Sequence, residues 1–147
     1  MAVGLFFVLL ALDQLIKFLV MLTMTPGESV PVIKNVFHIT YVLNPGAAFG
    51  MLPHQSWFFI LAGAAMIAAF AYYYPQLKRQ CAYFRYGCVA LLSGAVGNLI
   101  DRIRSGLVVD FFDFRIWPVF NIADIAIVLG VVSMIYAILY KEKEMDE

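Results

Sequence analysis

The sequence predicts an all-α integral membrane protein with four transmembrane helices, and three observations support this fold class. Hydrophobic residues make up 63% of the 147 positions and charged residues only 14%, whereas soluble domains average about 45–50% and about 25%. Mean hydropathy is +0.86. The apolar residues form four stretches close to the ~20 residues that a membrane-spanning helix needs. Because the connections are short, we expect one membrane domain over residues 1–147 and no separate soluble domain.

The four predicted spans cover about 3–24, 57–74, 86–102 and 120–140. The first has neither a basic n-region nor an Ala-x-Ala cleavage pattern, which predicts that it is not a removable signal peptide. It contains Asp13 and Lys17, which are four residues apart and therefore lie on one helix face, where they can form an ion pair. The pair has two interpretations of equal weight: a contact that tunes helix packing, or a brace for a polar site.

The segment after the first span predicts β-structure. From Phe37 to Leu43, β-branched and aromatic residues alternate with a period of two, which is typical of an amphipathic strand. Such a strand can lie on the bilayer surface or cover the helices, but it cannot span a membrane alone because its backbone would be unpaired. The residues Asn44-Pro45-Gly46 then predict a turn.

Residue types also mark the edges and contacts of the later spans. Trp57 and Tyr72–Tyr74 lie at the two rims of the second span, as an aromatic belt requires, and Pro75 is expected to end it. In the third span, Gly94 and Gly97 belong to a series of small residues at helical spacing, which allows neighbouring helices to approach closely. The two cysteines have no CxxC spacing and are predicted to be small buried residues.

Polar residues concentrate near the ends of the third and fourth spans and in the connection between them. They are Asn98, Asp101, Arg102, Asp110, Asp113, Asn121 and Asp124. Carboxylates and amides are costly to keep in apolar membrane sequence, so they mark a functional site by default. Asp113 and the nearby Arg115 are interpreted instead as solvated loop charges.

Two carboxylates that converge at a membrane–water boundary provide acid–base chemistry. Because both cannot ionise cheaply, one holds a proton while the other stays charged. Such a pair can activate a water molecule and protonate a leaving amine, which suits a peptide bond. Asp124 lies near a helix N-terminus and is favoured as the anion, which leaves Asp110 as the proton carrier. The spacing by itself does not select which two aspartates form the pair.

The residues alone leave other functions open. The acids suit a proton or ion path in a small transporter or a site for a hard divalent cation, and a structural membrane subunit is a third alternative. A Ser–Lys nucleophile pair would need Lys17 with Ser93 or Ser105, and their spacing does not support it. The formal net charge of zero argues against nucleic-acid binding.

The distribution of lysine and arginine bears on orientation. With four spans, both termini share a side with the second connection, and that side holds Lys78, Arg79, Arg85, Lys141 and Lys143. The other side holds Lys34, Arg102, Arg104 and Arg115. The positive-inside rule therefore narrowly favours cytoplasmic termini.

Five blocks of polar and small residues follow one another along the chain. They are Asp13-Gln14-x-x-Lys17, Asn44-Pro45-Gly46-Ala47-Ala48-Phe49, Gly94-x-x-Gly97-Asn98-x-x-Asp101-Arg102, Val108-Val109-Asp110-Phe111 and Phe120-Asn121-x-Ala123-Asp124. Each block alone is a weak pattern, but five in this order and spacing are specific. They resemble the blocks of the bacterial lipoprotein signal peptidase (signal peptidase II) family, and the resemblance covers essentially the whole chain.

The resemblance implies a membrane aspartyl endopeptidase whose catalytic dyad is Asp110 and Asp124. It implies substrate-binding roles for Asn44, Gly46, Asn98, Arg102 and Asn121. It implies supporting roles for Asp13, Lys17 and Asp101. The strand region at about 29–43 would form a small β-platform on the outer face, beside the active site.

The resemblance also implies the substrate and the location. The substrate would be a prolipoprotein, cut before a cysteine that already carries diacylglycerol, and no metal or organic cofactor is implied. The protein would be a multi-pass protein of the bacterial cytoplasmic (inner) membrane, with cytoplasmic termini and the active site near the outer leaflet. We expect a monomer in contact with membrane lipid.

Overall fold

The computed structural model describes residues 2–46 and 55–141. These residues form α1 (Ala2–Thr23), β1 (Ser29–Ile33), β2 (Phe37–Asn44), α2 (Ser56–Leu77), α3 (Ala82–Ser105), β3 (Val108–Asp113) and α4 (Ile122–Tyr136). A π-helical turn, Ala137–Lys141, continues α4. The end of the second sequence block, Ala47-Ala48-Phe49, lies outside the described residues.

Three of the described helices are long and apolar enough to cross a membrane, judged by length and composition. They are Ala2–Thr23, Ser56–Leu77 and Ile122–Leu139. The fourth predicted span corresponds to α3, which has 24 residues but carries Arg85, Asp101, Arg102 and Arg104 and is not among those three. The helical fold class is therefore confirmed in its main features, and the membrane crossing of α3 stays a prediction.

Small residues allow the helices to pack closely, as predicted. The helix α3 packs most extensively against α4 and next against α1. A Cβ atom added to Gly94 would collide with the carbonyl oxygen of Ala123 in α4. Gly87 and Gly130 face each other in the same way, since a Cβ on either would lie 2.7 or 2.6 Å from the other's carbonyl oxygen. These contacts bring the backbones of α3 and α4 together.

The β-structure is a three-stranded antiparallel sheet in the order β1-β2-β3. The predicted strand region at 29–43 is a hairpin of two strands, which turns through Asn35 with a positive φ of 62°. The second pair of strands places Val42 opposite Asp110 and Asn44 opposite Val108. Buried side chains fix the sheet to the end of α1; they are Val20, Tyr41, Val109 and Phe111.

The structure corrects two expectations, one about the end of α2 and one about the burial of the cysteines. Pro75 does not end α2, which continues to Leu77, because the missing N–H of a proline in the last turn costs only one intrahelical hydrogen bond. Cys81 and Cys88 are half-buried rather than buried. Away from the α2–α3 connection, the Ser56 hydroxyl donates to the carbonyl oxygen of Gly106. This bond joins the start of α2 to the end of α3.

The interpretation of Asp113 as a solvated loop charge is wrong. Asp113 ends β3 and is 5% exposed. Its carboxylate accepts a hydrogen bond from Thr40 Oγ1 at 2.7 Å and forms an ion pair with Arg115 at 2.7 Å. Burial acts to raise the pKa of Asp113, but these hydrogen bonds and the Arg115 charge outweigh it and hold the pKa below its usual value. The residue therefore ties β3 to β2.

Candidate active site

Just before α4 begins, the chain runs back alongside β3, and this positions the start of α4. The backbone N–H groups of Phe111 and Phe112 donate to the carbonyl oxygen of Phe120 at 3.0 and 2.8 Å, and Phe120 N–H donates back to Phe112 at 3.1 Å. The next residue, Asn121, is the N-cap of α4. The first turn of α4 is therefore held beside Asp110, which lies in β3.

Asn121 links the two aspartates of the predicted dyad. Its side-chain Nδ2 donates to Asp110 Oδ1 at 2.7 Å, and its backbone N–H donates to Asp124 Oδ2 at 3.2 Å. Its Oδ1 accepts from Asp124 N–H at 2.9 Å, which completes a capping box. Asn121 itself is 0% exposed, so its side chain bonds to the protein rather than to solvent.

Asp110 is a buried carboxyl group beside a second negative charge. It is 2% exposed, and its Oδ2 accepts from Asn44 Nδ2 at 3.0 Å. Burial and the charge of Asp124 raise its pKa to about 7, although hydrogen bonds from Asn44 and Asn121 and the charge of Lys17 act in the opposite direction. Near neutral pH, Asp110 therefore holds a proton for much of the time.

The predicted binding residues lie around this pair. Asn98 Nδ2 donates to Asp124 Oδ1 at 2.8 Å. Arg102 donates to the carbonyl oxygen of Gly46 at 2.9 Å, and its guanidinium lies 4.4 Å from the ring centroid of Phe59, a cation–π contact. Sequence reasoning did not single out Phe59, because an aromatic residue in an apolar span carries no distinguishing signal.

The predicted supporting residues form a buried cluster of charges next to the strand that carries Asp110. Lys17 is 1% exposed, and its ammonium lies 2.9 Å from Asp13 and 2.8 Å from Asp101. Gln14 Nε2 joins the two carboxylates at 3.1 and 3.2 Å. Asp101 accepts from Val109 N–H in β3 at 3.2 Å. The cluster therefore contacts the strand that carries Asp110, which favours the brace over a mere packing contact.

Gln14, like Phe59, contacts site residues, but the sequence analysis assigned it no role. Its side chain also donates to the carbonyl oxygen of Gly97 at 3.2 Å, and the neighbouring Asp13 accepts from Ala123 N–H in α4 at 2.9 Å. A polar residue next to an acid within an apolar span was the available signal. Through these bonds α1 positions α3 and the first turn of α4 together.

A cavity of about 670 Å³ opens onto the two aspartates. Its polar lining consists of Asn44, Gly46, Asn98, Arg102, Asp110 and Asp124. Its apolar walls come from α2, α3 and α4, with Phe59, Met66 and Val128 among them, and from Val108 and residues 117–120. All seven predicted catalytic and substrate-binding residues are thus placed together, six on the cavity wall and Asn121 buried behind it.

Comparison with known proteins places the chain in a family. A family model described as signal peptidase (SPase) II matches residues 5–140. The chain belongs to the signal peptidase II family. A protein named lipoprotein signal peptidase from Pelotomaculum thermopropionicum is 47% identical, over 90% of this chain and 87% of the relative. Another of that name, from Halothermothrix orenii, is 46% identical over 95% of both chains. The resemblance seen in the sequence blocks is therefore confirmed.

Solved structures support the same assignment. One described as a bacterial membrane enzyme, determined by the in meso method, aligns with a TM-score of 0.90 at 32% identity and covers 97% of this chain and 90% of its own. A second of the same description aligns with a TM-score of 0.82 at 33% identity, over 95% and 92%. Together with the apolar helices, membership in this signal peptidase family supports a bacterial peptidase that is integral to the membrane.

Proposed function

We propose that the chain is an aspartic endopeptidase that removes signal peptides from diacylglyceryl-modified prolipoproteins and cleaves before the lipidated cysteine. The observation that carries this proposal is the link through Asn121, which donates to Asp110 at 2.7 Å and to Asp124 at 3.2 Å. Two carboxyl groups held by one buried residue at the wall of a cavity can share one proton. That is the requirement for water activation without a covalent intermediate.

In the proposed mechanism, a water molecule lies between the two carboxyl groups. The Asp124 carboxylate, stabilised at the N-terminus of α4, removes a proton from this water while the oxygen attacks the scissile carbonyl carbon. Asp110 donates its proton to the carbonyl oxygen as the C=O bond becomes a C–O bond. The proton taken by Asp124 then passes to the leaving nitrogen, the C–N bond breaks, and the diol oxygen returns its proton to Asp110.

The cavity walls support a lipidated substrate. The cavity is lined both by polar groups and by apolar side chains from α2, α3, β3, α4 and the segment before α4. A peptide backbone can bind beside Asn98 and Arg102, which offer hydrogen-bond donors. The acyl chains of the modified cysteine can then lie along the apolar walls, with no cost of polar desolvation.

We further propose that the active site lies near the outer leaflet of the bacterial inner membrane, with cytoplasmic termini and four spans in a monomer. The sheet, the end of α3 and the start of α4 lie together at the aspartates. The basic residues Lys78, Arg79 and Arg85 lie in and next to the connection of α2 to α3, at the opposite ends of those helices. Their position agrees with the positive-inside rule.

A cleavage assay tests the proposed function. Purified protein in detergent is mixed with one prolipoprotein, either carrying diacylglycerol on its cysteine or unmodified, and cleavage is followed by gel shift and mass spectrometry. We expect cleavage immediately before the cysteine of the modified form, and much slower cleavage of the unmodified form. A folded protein that leaves the modified prolipoprotein intact would contradict the proposal and favour a transporter, which ion flux in liposomes would detect.

The pH dependence follows from the pKa of Asp110. Because this group must be protonated to act as the acid, kcat/KM is expected to fall as pH rises through about 7. The Asn44→Ala variant loses a donor that stabilises the charged form of Asp110, so the pKa rises further and the alkaline limb moves to higher pH. A pH–rate profile of both proteins checks this. An alkaline limb that stays in place or moves to lower pH in the variant would contradict the assignment of Asp110 as the acid.

A further inference from the structure

The side-chain amide of Asn98 has only one favourable orientation. Its Oδ1 accepts from Lys17 Nζ at 3.0 Å and from Asn121 Nδ2 at 3.0 Å, while its Nδ2 donates to Asp124 Oδ1 at 2.8 Å. Rotation by 180° would point an NH₂ group at an ammonium and at another NH₂ group. It would also place a carbonyl oxygen against the Asp124 carboxylate, so every contact would become repulsive.

Asn121 holds Asn98 only in part. Its own Oδ1 accepts from Asp124 N–H, so its NH₂ group faces the interior of the site. The two hydrogens of that group are divided among three acceptors, which are Asn98 Oδ1 at 3.0 Å, Asp110 Oδ1 at 2.7 Å and the carbonyl oxygen of Val109 at 3.2 Å. A second donor to Asn98 therefore strengthens the hold on its orientation.

Lys17 provides this second donor, and each of its three N–H groups has an acceptor. An ammonium has three N–H donors, and Lys17 directs them to Asp13 at 2.9 Å, Asp101 at 2.8 Å and Asn98 at 3.0 Å. The residue is 1% exposed, and all three acceptors are side chains of the protein. Its geometry suits a fixed donor and leaves no N–H directed at a substrate. A positive charge on the carbonyl side of Asn98 also polarises the amide and strengthens its donation to Asp124.

We infer that Lys17 is a positioning residue for the reaction, which acts through the amide of Asn98 to keep a hydrogen-bond donor on Asp124. This inference rests on the proposed function, because Asp124 must be the base for its donor to affect turnover. It assigns Lys17 a role beyond balancing the charges of Asp13 and Asp101. A residue that acted only through its charge would change folding and the pKa of Asp110, and its effect on kcat would not depend on Asn98.

A double-mutant cycle separates these two roles. The reference is the wild-type protein, and Asp101→Asn/Lys17→Met is the charge-balanced comparison, because its cluster of Asp13, position 17 and position 101 keeps the wild-type net charge. In the wild-type background, Lys17→Met, Asn98→Ala and the combination are compared for kcat, KM and thermal unfolding in detergent. We expect Lys17→Met to lower kcat at least about tenfold with little change in KM, since removal of one direct donor from a catalytic site costs about 10²–10³-fold. With Asn98→Ala already present, Lys17→Met should have no further effect on kcat.

Two outcomes would overturn the inference. One is a Lys17→Met variant that is folded and turns over at the reference rate. The other is an equal loss of kcat with and without Asn98, because Lys17 would then act by another route. Lys17→Gln adds a rescue arm: its amide can still donate to Asn98, so kcat should recover part of the loss seen with methionine, and a folded variant without recovery contradicts the inference.

If Lys17→Met does not fold, a variant of Asn98 tests whether the donor to Asp124 affects turnover. Asn98→Asp keeps an acceptor for Lys17 and Asn121, removes the donor to Asp124 and adds a negative charge beside it, and we expect it to fold and to lose kcat at least about tenfold. A folded Asn98→Asp protein with wild-type kcat would refute the inference. If the wild-type protein fails to cleave a modified prolipoprotein, the proposed function is rejected instead.

Discussion

Asp110→Asn and Asp124→Asn are each expected to lower kcat by roughly 10⁴-fold, as removal of a single member of a catalytic set does in other proteases, while the protein stays folded. An amide at position 110 has no acidic proton for the carbonyl oxygen, and an amide at position 124 cannot accept a proton from water. Both substitutions keep the size of the side chain and at least one oxygen for the bonds from Asn121. The gel-shift assay with a diacylglyceryl-modified prolipoprotein measures the loss.

Asp113→Asn is the matched control for these variants. It changes an aspartate of the same strand as Asp110, but Asp113 faces Thr40 and Arg115 and does not line the cavity. We expect it to cleave at close to the wild-type rate. Near-normal cleavage by either dyad variant would show that the pair is misassigned, and Asp101 would then be the next carboxylate to test.

Gly94→Ala is expected to destabilise the protein by about 3 kcal/mol, the upper end of the usual cost of overpacking, and to abolish cleavage through loss of the fold. The added methyl group would collide with the carbonyl oxygen of Ala123 and would lie 2.8 Å from the Ile127 side chain. A backbone oxygen in the first turn of α4 cannot move aside without displacing Asp124 from Asn98. Thermal unfolding in detergent and the yield of monodisperse protein measure the effect.

Gly4→Ala provides the matched control for this glycine. It makes the same substitution within a helix, but a Cβ at Gly4 has nothing within 4 Å. We expect unchanged cleavage and a stability equal to or slightly above wild type, because alanine is favoured over glycine in a helix by about 1 kcal/mol. If Gly94→Ala were as stable as Gly4→Ala, the close packing of α3 on α4 would not limit stability.

The helices and the strand β2 could be predicted because their signals are local. Apolar runs of sufficient length indicate α1, α2 and α4, and the period-two alternation in Phe37–Leu43 indicates the strand that the structure places in β2. The strand β3 could not be recognised in the same way. Its residues are buried almost without alternation, and their extended conformation depends on pairing with β2, which lies more than 60 residues away in the chain.

The site was predictable in its residues but not in its connections. The five sequence blocks contain every predicted catalytic and binding residue, and the spacing of Asn121 and Asp124 fits a capping box. Neither the contact of Asn121 with Asp110 nor that of Arg102 with Phe59 has a sequence signal, because each joins residues of different elements. Asp113 was misjudged for the same reason, since its burial depends on Thr40 in another strand.

The N-cap of α4 makes the start of a helix and the assembly of the proposed reaction centre a single event. Fraying of the first turn would release Asp124 from Asn121 and Asn98 together, and the cavity would then hold two independent acids with no shared geometry. By thermodynamic linkage, any compound that binds the joined carboxyl groups must stabilise that turn by the same free energy that the turn contributes to its affinity. Helix fraying and inhibitor affinity are therefore two measurements of one equilibrium.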